Sequence, residues 1–436
     1  MKYKFNEIVA CTYFDKNYLI KGISMCQSFV RHNPEIKVYV LCFDDYTRET
    51  LKKLKIKNVI TIKLSDFEDE KLLKAKKNRS LVEYFWTCTP SLPLYIFKKF
   101  PQYKGVIYLD ADLFFYSSVG VTFDELGDGS LYTVEHRYPR GQAYRNLTSG
   151  RFNVAFQIFT RKKESIDCLK RWREQCLKWC YFRAEDGKMG DQMYLNEWPT
   201  LYKNLVVSLN VGVDVAPWNV SQYSLTDENN HPKVDGQELI CYHFHQFTIL
   251  DDDSFEYSYG YFLTDKIREI IYQPYVKSLK ETIRKVKRID PNFKVPVVRR
   301  SWVTRLQYLL IKTISPTYWL LQTCLFALNH EKHIKGGKGY KIGINALVFN
   351  ANESIAGKKY LNKVLGDIKK DFRNEYLIFC NSDNRNSFKE FNNCRIVKLA
   401  VGSQNSLGLQ LFNRLVLPLI FRTYSVDKVR VLDTIN

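Results

Sequence analysis

Two aspartates, Asp110 and Asp112, are the residues whose type and spacing most directly suggest chemistry. They follow the apolar run 106–109 and precede a second apolar run, 113–115. Residues two apart in an extended chain face the same side, so both carboxylates can meet at one point. Two hard oxygen ligands at a strand end suit Mn²⁺ or Mg²⁺, with phosphate oxygens of a ligand completing the coordination. The alternative is an ordinary pair of solvated loop carboxylates.

A second pair with the same spacing, His243 and His245, ends another apolar run. A single histidine there would more often be a satisfied core residue. Two on one face, in a chain that already holds an aspartate pair, make one of them a candidate metal ligand. We predict His243 as the ligand and keep His245 as its substitute.

Two further segments carry residues suited to binding a sugar. Asp191 and Gln192 precede a helical pattern, so they are either hydrogen-bonding groups for hydroxyls or, for Asp191, a helix N-cap. Trp218 lies in the run APWN and is either an aromatic platform for an acceptor sugar or a core tryptophan.

The elements that must position these residues form an alternation of short apolar strands and helices. Strands are predicted in 4–13, ending near Thr12, and in 37–44, 58–64 and 105–115, with helices over 18–32 and 47–55. Such alternation predicts a parallel-type α/β sheet whose ligands collect at the carboxyl ends of the strands. Thr12, Asp15, Asp110 and Asp112 fall at those ends.

Composition and charge narrow the class of protein. The 436 residues contain 66 Lys and Arg against 46 Asp and Glu, a net charge of +20, and 15% are aromatic. This balance excludes wholesale disorder and coiled coil. No apolar leader segment is visible near the first residue, and the cysteines form no CxxC pair, which together predict a cytoplasmic protein. We expect Cys176 and Cys180 to be buried thiols.

Half of the net charge lies in one segment. Residues 266–312 hold 13 Lys or Arg against 3 Asp or Glu, and an uncharged run follows over 313–330. That run contains too many polar residues for a transmembrane span and suits an interfacial helix pair on an anionic membrane. We predict membrane-surface contact through 276–330, on the inner face of the cytoplasmic membrane. The alternative is a helical extension packed on the domain with its basic face solvated.

Beyond the glycine-rich linker at 335–339, a new α/β pattern begins. Strands are predicted near 340–350, 375–381, 394–401 and 426–436. This tail resembles the first half of the N-terminal domain of a GT-B glycosyltransferase. Its second half does not follow in this sequence, so we interpret the tail as a truncated unit without catalytic activity of its own.

Five motifs in the first region, taken together, resemble those of GT-A nucleotide-sugar glycosyltransferases. The resemblance is closest to glycosyltransferase family 8 and its bacterial surface-polysaccharide relatives. The motifs are the turn Asp15-Lys16-Asn17-Tyr18, the pair Asp110-Ala111-Asp112, the segment Phe152-Asn153-Val154-Ala155, the pair Asp191-Gln192 and the run that begins at His243.

The resemblance implies a Rossmann-like mixed sheet flanked by helices and a role for each motif. It implies that Asp110, Asp112 and His243 hold the metal, and that Asp191 and Gln192 are catalytic residues beside the anomeric carbon. The residues implied to bind the donor are Thr12, Tyr13, Asp15, Asn17, Tyr18, Asp110, Ala111, Asn153 and Gln192. Trp218 and His245 are the candidates for binding the acceptor.

The sequence also departs from the family pattern. Ala155 and Gln246 stand where glycines are usual, and the K-P-W that normally follows the metal histidine is absent. The lysine that would hold the leaving phosphate is therefore unassigned. The candidates to replace it are Arg79, Arg137, Arg140 and Arg145.

The expected function is metal-dependent sugar transfer from a nucleoside diphosphate sugar to a glycan or glycolipid acceptor, by a hexosyltransferase-type enzyme that retains the anomeric configuration. The expected domains are a catalytic domain over 1–275, a basic helical extension over 276–335 and the GT-B-like unit over 336–436. The alternatives are a sugar-1-phosphate nucleotidyltransferase, disfavoured because the first turn lacks glycine, and an inactive glycan-binding or nucleotide-sugar-binding relative. Nucleic acid is not an expected partner because no nucleic-acid-binding motif is present.

Overall fold

The computed structural model describes residues 4–297 except for 140, 141, 143, 144, 184, 186, 230, 259, 260 and 262. Beyond residue 297 it describes 341–345, 365, 366, 368, 375–380, 394–398 and 428–431. The chain divides into two compact units, Met1–Arg137 with Ser149–Leu320, and Tyr138–Thr148 with Leu321–Asn436.

The strands of the first unit are short and mostly buried. In chain order they are β1 (Ile8–Phe14), β2 (Lys37–Cys42), β3 (Val59–Lys63), β4 (Gly105–Leu109), β5 (Leu113–Phe115), β6 (Leu131–Glu135), β7 (Phe152–Thr160), β8 (Leu205–Val207), β9 (Leu225–Glu228), β10 (His231–Val234), β11 (Gln237–Glu238), β12 (Cys241–His243), β13 (Thr248–Ile249) and β14 (Phe255–Glu256).

The helices, in the same order, connect and cover these strands. They are α1 (Leu19–His32), α2 (Asp45–Leu54), α3 (Leu64–Phe67), α4 (Glu70–Lys76), α5 (Leu81–Cys88), α6 (Ser91–Lys99), α7 (Gly120–Leu126), α8 (Arg145–Thr148, in the second unit), α9 (Lys163–Lys178), α10 (Trp198–Leu201), α11 (Asp265–Ile267) and α12 (Gln273–Ile289). Short 3-10 turns lie at Phe5–Glu7, Met193–Glu197 and Val220–Gln222, and a π-helical turn at Arg268–Tyr272.

The main sheet is mixed and has the strand order β3-β2-β1-β4-β7-β6-β8. The first four of these strands run parallel, whereas β7 is antiparallel to both β4 and β6. The carboxyl end of β4 therefore lies beside the amino end of β7. This confirms the predicted mixed α/β sheet flanked by helices.

Both faces of the sheet are buried, because side chains of one strand alternate between two cores. In β1, Ile8, Ala10 and Phe14 belong to one apolar cluster, and Val9 and Cys11 to the other. The first cluster includes side chains of α1 and α12, and the second includes side chains of α5, α6 and α9. This continuous apolar strand is the pattern expected of a strand covered on both sides.

The four strands and two helices predicted for this unit are present, with two differences. The strand predicted over 105–115 is divided, because a turn at 110–112 separates β4 from β5 and β5 pairs with β12 in another sheet. Asp110 and Asp112 therefore lie in a turn and not in an extended strand.

Strand β1 continues two residues beyond Thr12, to Phe14. This extension brings the ring of Tyr13, rather than the hydroxyl of Thr12, to the end of the strand. Cys176 and Cys180 are free, buried thiols as predicted.

Helix α12 starts just before the domain boundary that we predict at residue 275 and continues past it. Its apolar side chains Leu279, Ile283 and Val286 belong to the same core as α1, and Thr282 shares a hydrogen bond with Ser24. Over this part of the predicted extension, the apolar side packs inward and is not available to a membrane. The amphipathic pattern after residue 297 lies outside the described residues.

None of the described helices has both the length and the apolar character of a membrane-spanning segment.

The described part of the second unit contains a separate parallel sheet. Its strands are β15 (Lys341–Asn345), β16 (Glu375–Cys380), β17 (Cys394–Lys398) and β18 (Lys428–Val431), in the order β17-β16-β15-β18. The strands lie where the sequence predicts them, and this order is that of half a doubly wound sheet. The GT-B resemblance itself stays a prediction.

Gly22 gives a test of how closely α1 packs on β1. Glycine inside a helix is normally less stable than alanine by about 1 kcal/mol. Here a Cβ at position 22 would overlap the ring of Phe14, which is buried. We therefore expect Gly22→Ala to lower the free energy of unfolding by about 1–3 kcal/mol, the usual cost of overpacking, measured by urea denaturation.

The double variant Phe14→Leu/Gly22→Ala should recover part of this loss relative to the sum of the two single variants. A Gly22→Ala variant at least as stable as the unmodified protein would contradict the close packing.

Candidate active site

The polar residues predicted from the sequence meet at one edge of the main sheet, around a cavity of about 360 Å³. Because β7 runs antiparallel to β4, Asn153 at its start lies near Asp110, just past the end of β4. The backbone N–H of Asp110 donates to the carbonyl of Ala155 at 3.0 Å. The cavity is therefore formed where the parallel half of the sheet meets its antiparallel half.

Asp110, Asp112 and His243 bring one ligand atom each to within 4.8 Å of one another. Strand β12 pairs with β5 so that His243 lies opposite Leu113, and the N–H of Phe244 donates to the carbonyl of Asp112 at 2.9 Å. His243 Nε2 lies 3.3 Å from Asp112 Oδ1. Two carboxylates and one imidazole at this spacing fit a divalent metal ion, and no other such group occurs among the described residues.

The charges of these three groups depend on one another. Burial and the negative charge of Asp112 raise the pKa of Asp110 to about 6, and Tyr108 donates a 2.8 Å hydrogen bond to Asp110. Burial alone would raise the pKa of Asp112 too, but the attraction of His243 lowers that pKa below its usual range. Burial opposes charge on His243, yet Asp112 and Asp214 raise the pKa of His243 well above its usual value.

Asp214 is a member of the site that the sequence analysis missed. Its carboxylate is fully buried and lies 3.4 Å from His243 Nδ1, and neither of its oxygens has a hydrogen-bond partner among the described residues. Asn153 Nδ2 is also near His243 Nδ1, at 3.1 Å. A proton on Nδ1 would be attracted to Asp214, which leaves Nε2 facing Asp112. The available signal was an acidic residue inside the apolar run 211–216.

Asp191 and Gln192 line the same cavity, and Asp191 is buried. Burial raises the pKa of Asp191 to about 7, although a hydrogen bond from Thr89 opposes this shift. The following 3-10 turn is capped at Gln192 without a side-chain bond, so Asp191 is not its N-cap. Gly190, with φ of 55°, approaches the ring of Trp86 so closely that a Cβ would lie 3.1 Å from it.

An aromatic wall faces these polar groups. Tyr13 and Tyr18 line the cavity as predicted, and Tyr13 stacks on Phe85 with ring centroids 5.8 Å apart. Helix α5 adds Val82, Phe85 and Trp86 to this wall, a contribution that the sequence did not predict. Its run of aromatic residues carried no pattern that distinguished a cavity wall from a core helix.

Three predicted donor-binding residues do not line the cavity. Thr12 is completely buried. The carboxylate of Asp15 accepts hydrogen bonds from the N–H groups of Asn17 and Tyr18 and from the side chain of Asn17. Asp15 and Asn17 therefore shape the turn that presents Tyr18. Direct contact of Thr12, Asp15 and Asn17 with a donor is not supported by this geometry.

The acceptor prediction for Trp218 is corrected by its burial. Its ring is 4% exposed, its Nε1 donates to the carbonyl of His136 at 2.9 Å, and it does not line the cavity. A sugar cannot stack on a ring whose faces are covered. The ring instead packs edge-on against His243 and His245, with centroids 5.2 and 5.4 Å away. His245 does line the cavity, but it is not one of the three clustered ligands.

The arginines proposed as phosphate-binding groups have other contacts. Arg79 donates to Asn78 and to the carbonyl of Leu177, and its guanidinium lies 3.8 Å from the ring of Tyr181. Arg137 donates to three backbone carbonyls, those of Asn210, Val213 and Asp214. Arg145 bonds to Gln142 inside the second unit, and Arg140 lies outside the described residues.

This sheet, with an Asp-x-Asp pair and a histidine at its central edge, defines a glycosyltransferase of the GT-A type. The family model of glycosyl transferase family 8 matches residues 9–165, and the chain belongs to this family. The uncharacterized protein YfnD of Bacillus subtilis (strain 168) is 32% identical over 286 residues, which are 65% of this chain and 92% of YfnD. YfnF of the same organism, also uncharacterized, is 28% identical over 291 residues, which are 65% of this chain and 95% of YfnF.

Similar solved structures include two glycosyltransferases. The galactosyltransferase LgtC, in complex with donor and acceptor sugar analogs, is 18% identical with a TM-score of 0.36. The match covers 48% of this chain and 76% of the LgtC chain. GlyE of Streptococcus pneumoniae TIGR4, in its apo form, is 14% identical with a TM-score of 0.38. The match covers 97% of this chain and 84% of the GlyE chain.

The raised pKa of Asp191 predicts a pH-dependent stability. Because folding favours the protonated carboxyl, the stability that this group contributes is fully present below about pH 4 and is lost as the pH rises to about 7. Asp191→Asn removes the ionising group. At pH 8 we expect the variant to have a higher melting temperature than the unmodified protein and a free energy of unfolding larger by up to about 4 kcal/mol. At pH 4.5 we expect little difference.

Melting curves from pH 4.5 to 8.5 without metal would measure this difference. Asp227→Asn, at an exposed site on β9, is the matched control. Parallel stability profiles for the Asp191 variant and the unmodified protein would contradict the prediction.

The position of Asp214 behind His243 predicts an effect on metal affinity. Asp214→Asn keeps the shape of the side chain but removes the charge that attracts the Nδ1 proton. We expect Mn²⁺ affinity, measured by electron paramagnetic resonance, to fall about 10–100-fold, the usual cost of losing a partner of a metal-binding histidine. Unchanged affinity, at the level of the Asp227→Asn control, would show that His243 does not need this neighbour.

Proposed function

We propose that the protein transfers a sugar from a nucleoside diphosphate sugar to a glycan or glycolipid acceptor with the help of a divalent cation. One observation carries the proposal. Asp110, Asp112 and His243 converge on a cavity that also takes in Asp191 and Gln192, in a chain of glycosyl transferase family 8.

The residues present fit Mn²⁺ or Mg²⁺, and the imidazole favours Mn²⁺ because Mg²⁺ prefers oxygen ligands. Asp110, Asp112 and Nε2 of His243 would hold the ion. A cation bound there would neutralise the negative charge that develops on the leaving diphosphate.

The aromatic wall suits the nucleoside part of the donor. Tyr13, Tyr18 and Phe85 offer ring surface beside the carboxylates, and a planar base can stack on such rings. A cavity of about 360 Å³ falls in the range of small-molecule sites. The amides of Asn153 and Gln192, which also line the cavity, are the groups that we assign to the hydroxyls of the sugar.

The proposed reaction retains the anomeric configuration. The bond between the anomeric carbon and the phosphate oxygen breaks, the acceptor oxygen bonds to that carbon on the same face, and the acceptor proton passes to the departing phosphate. Apart from the two aspartates of the metal-ligand set, Asp191 is the carboxyl that lines the cavity among the described residues. We assign it to a donor hydroxyl or to the positive charge that develops on the anomeric carbon.

The wider role is inferred from the bacterial surface-polysaccharide relatives that the motifs resemble. We propose a hexosyltransferase step in the synthesis of such a polysaccharide in the cytoplasm, at the inner face of the membrane. Catalysis is assigned to residues 1–275, and residues after 297 remain candidates for the membrane contact. The unit after residue 336 is proposed to have no catalytic role.

The metal-ligand set predicts the outcome of Asp112→Asn. We expect this variant to lose the rise in melting temperature that Mn²⁺ and a nucleoside diphosphate together produce, and to lose donor hydrolysis by at least about 100-fold. The assay uses a panel of UDP-, GDP-, ADP-, CDP- and dTDP-sugars with and without Mn²⁺. Asp227→Asn is again the control, because its carboxylate is exposed.

Near-normal turnover in the Asp112 variant would overturn the metal-dependent mechanism. A protein that binds donors but neither hydrolyses nor transfers them would instead be the inactive relative, which the absent K-P-W and the residue Gln246 favour.

A further inference from the structure

The cavity contains several negative groups and no permanent positive charge of its own. The described residues that line it include three aspartates and two histidines, but no lysine or arginine. A nucleoside diphosphate would add further negative charge beside these aspartates. A basic side chain that binds the diphosphate must therefore lie next to the residues that line the cavity.

Lys21 is the lysine in that position. It lies one helical turn after Tyr18 on α1, and its ammonium is 4.9 Å from the centre of the Tyr18 ring. The ammonium donates a 2.7 Å hydrogen bond to the carbonyl of Phe247, four residues after His243. Lys21 Nζ thus lies between the nucleotide-side wall and the segment that carries the metal histidine.

The charge of Lys21 is only partly compensated. No carboxylate lies within ion-pair distance of it among the described residues, and Phe247 is the one hydrogen-bond acceptor that its ammonium has there. Burial lowers the pKa of Lys21, and the charge of Asp112 acts in the opposite direction. An ammonium has three donor hydrogens, so two remain for a ligand, and the long stem can adjust their position.

The arginines discussed above do not have donor groups available to a ligand in the same way. Arg79 and Arg137 are held by carbonyl groups and by a tyrosine ring. In contrast, the ammonium of Lys21 interacts electrostatically with Asp112, a member of the metal-ligand set. Its ammonium also lies beside the ring of Tyr18, which lines the cavity.

We propose that Lys21 binds the diphosphate of the donor and takes the place of the lysine that is absent after His243. This inference rests on the proposed function. Its ammonium donates to a non-bridging phosphate oxygen and keeps its proton throughout. When the bond from the anomeric carbon to the phosphate oxygen breaks, the electron pair goes to the phosphate, and Lys21 stabilises the resulting charge.

The test compares ligands that differ in one phosphate. Calorimetric titrations with UDP, GDP and inorganic pyrophosphate, each with Mn²⁺, are set against UMP and GMP. We expect Lys21→Met to weaken binding of the diphosphates and of pyrophosphate about 10-fold or more, as for loss of one hydrogen bond to a charged group, and to change binding of the monophosphates less than about 3-fold. Lys21→Arg should retain most of the diphosphate affinity.

Lys53→Met, at an exposed lysine on α2, is the matched control and should bind as the unmodified protein does. The melting temperature without ligand should fall slightly in Lys21→Met, because the hydrogen bond to the carbonyl of Phe247 is lost, and this loss does not depend on which ligand is added. If Lys21→Met does not fold, Lys21→Gln carries the same comparison of diphosphate with monophosphate.

Two results would overturn the assignment while leaving the proposed function intact. One is equal weakening of monophosphates and diphosphates, which would make Lys21 a support for the Tyr18 wall. The other is unchanged diphosphate affinity. If the unmodified protein binds neither the diphosphates nor pyrophosphate with Mn²⁺, the proposed function fails and the role of Lys21 fails with it.

Discussion

Crowding of negative charge is the constraint on which this candidate site depends. Asp110 interacts unfavourably with Asp112, Asp191 and Asp214, while His243 lies between two of these aspartates and is the group that offsets them. Like charges held together away from water raise the free energy of the folded state. The two buried apolar cores around the sheet must offset this cost. A divalent cation between Asp110, Asp112 and His243 would reduce this repulsion. The crowded carboxylates are therefore suited to binding such a cation.

The position of the site follows from one change of direction in the sheet. Four parallel strands end at the edge where Asp110 lies, and β7 enters from that same edge because it runs the opposite way. The pairing of β7 with β4 thereby places Asn153, near the start of β7, beside the carboxylates, and no loop is needed to position it. Strand β12 adds His243 through its pairing with β5. Backbone hydrogen bonds thus fix the relative positions of side chains that are far apart along the chain.

One departure from the family pattern lies at a residue with an unusual backbone conformation. Gln246 stands where glycine is usual, and its φ of 62° is in the left-handed region that glycine favours. A non-glycine residue there costs roughly 1 kcal/mol, which the surrounding contacts must offset. The buried ring of Phe247 and the hydrogen bond from its N–H to the carbonyl of Phe244 hold the turn. Packing of Phe247 and one backbone hydrogen bond therefore hold the turn after His243, although a residue other than glycine occupies its left-handed position.

The sequence by itself determined the four parallel strands of the main sheet and the position of Asp110 and Asp112 directly after the fourth. The two carboxylates converge because residues 110–112 form a turn, with the N–H of Leu113 donating to the carbonyl of Asp110, and not because of the two-residue period of a strand. The sequence could not separate His243 from His245, since they have the same spacing, and only the pairing of β12 with β5 places His243 at the carboxylates. Nor could it distinguish a buried Trp218 from an exposed one. The proximity of Lys21 and of Asp214 was likewise decided only by tertiary structure. Local patterns specify which way a side chain points within its own element, whereas contact between distant elements depends on how these elements pack.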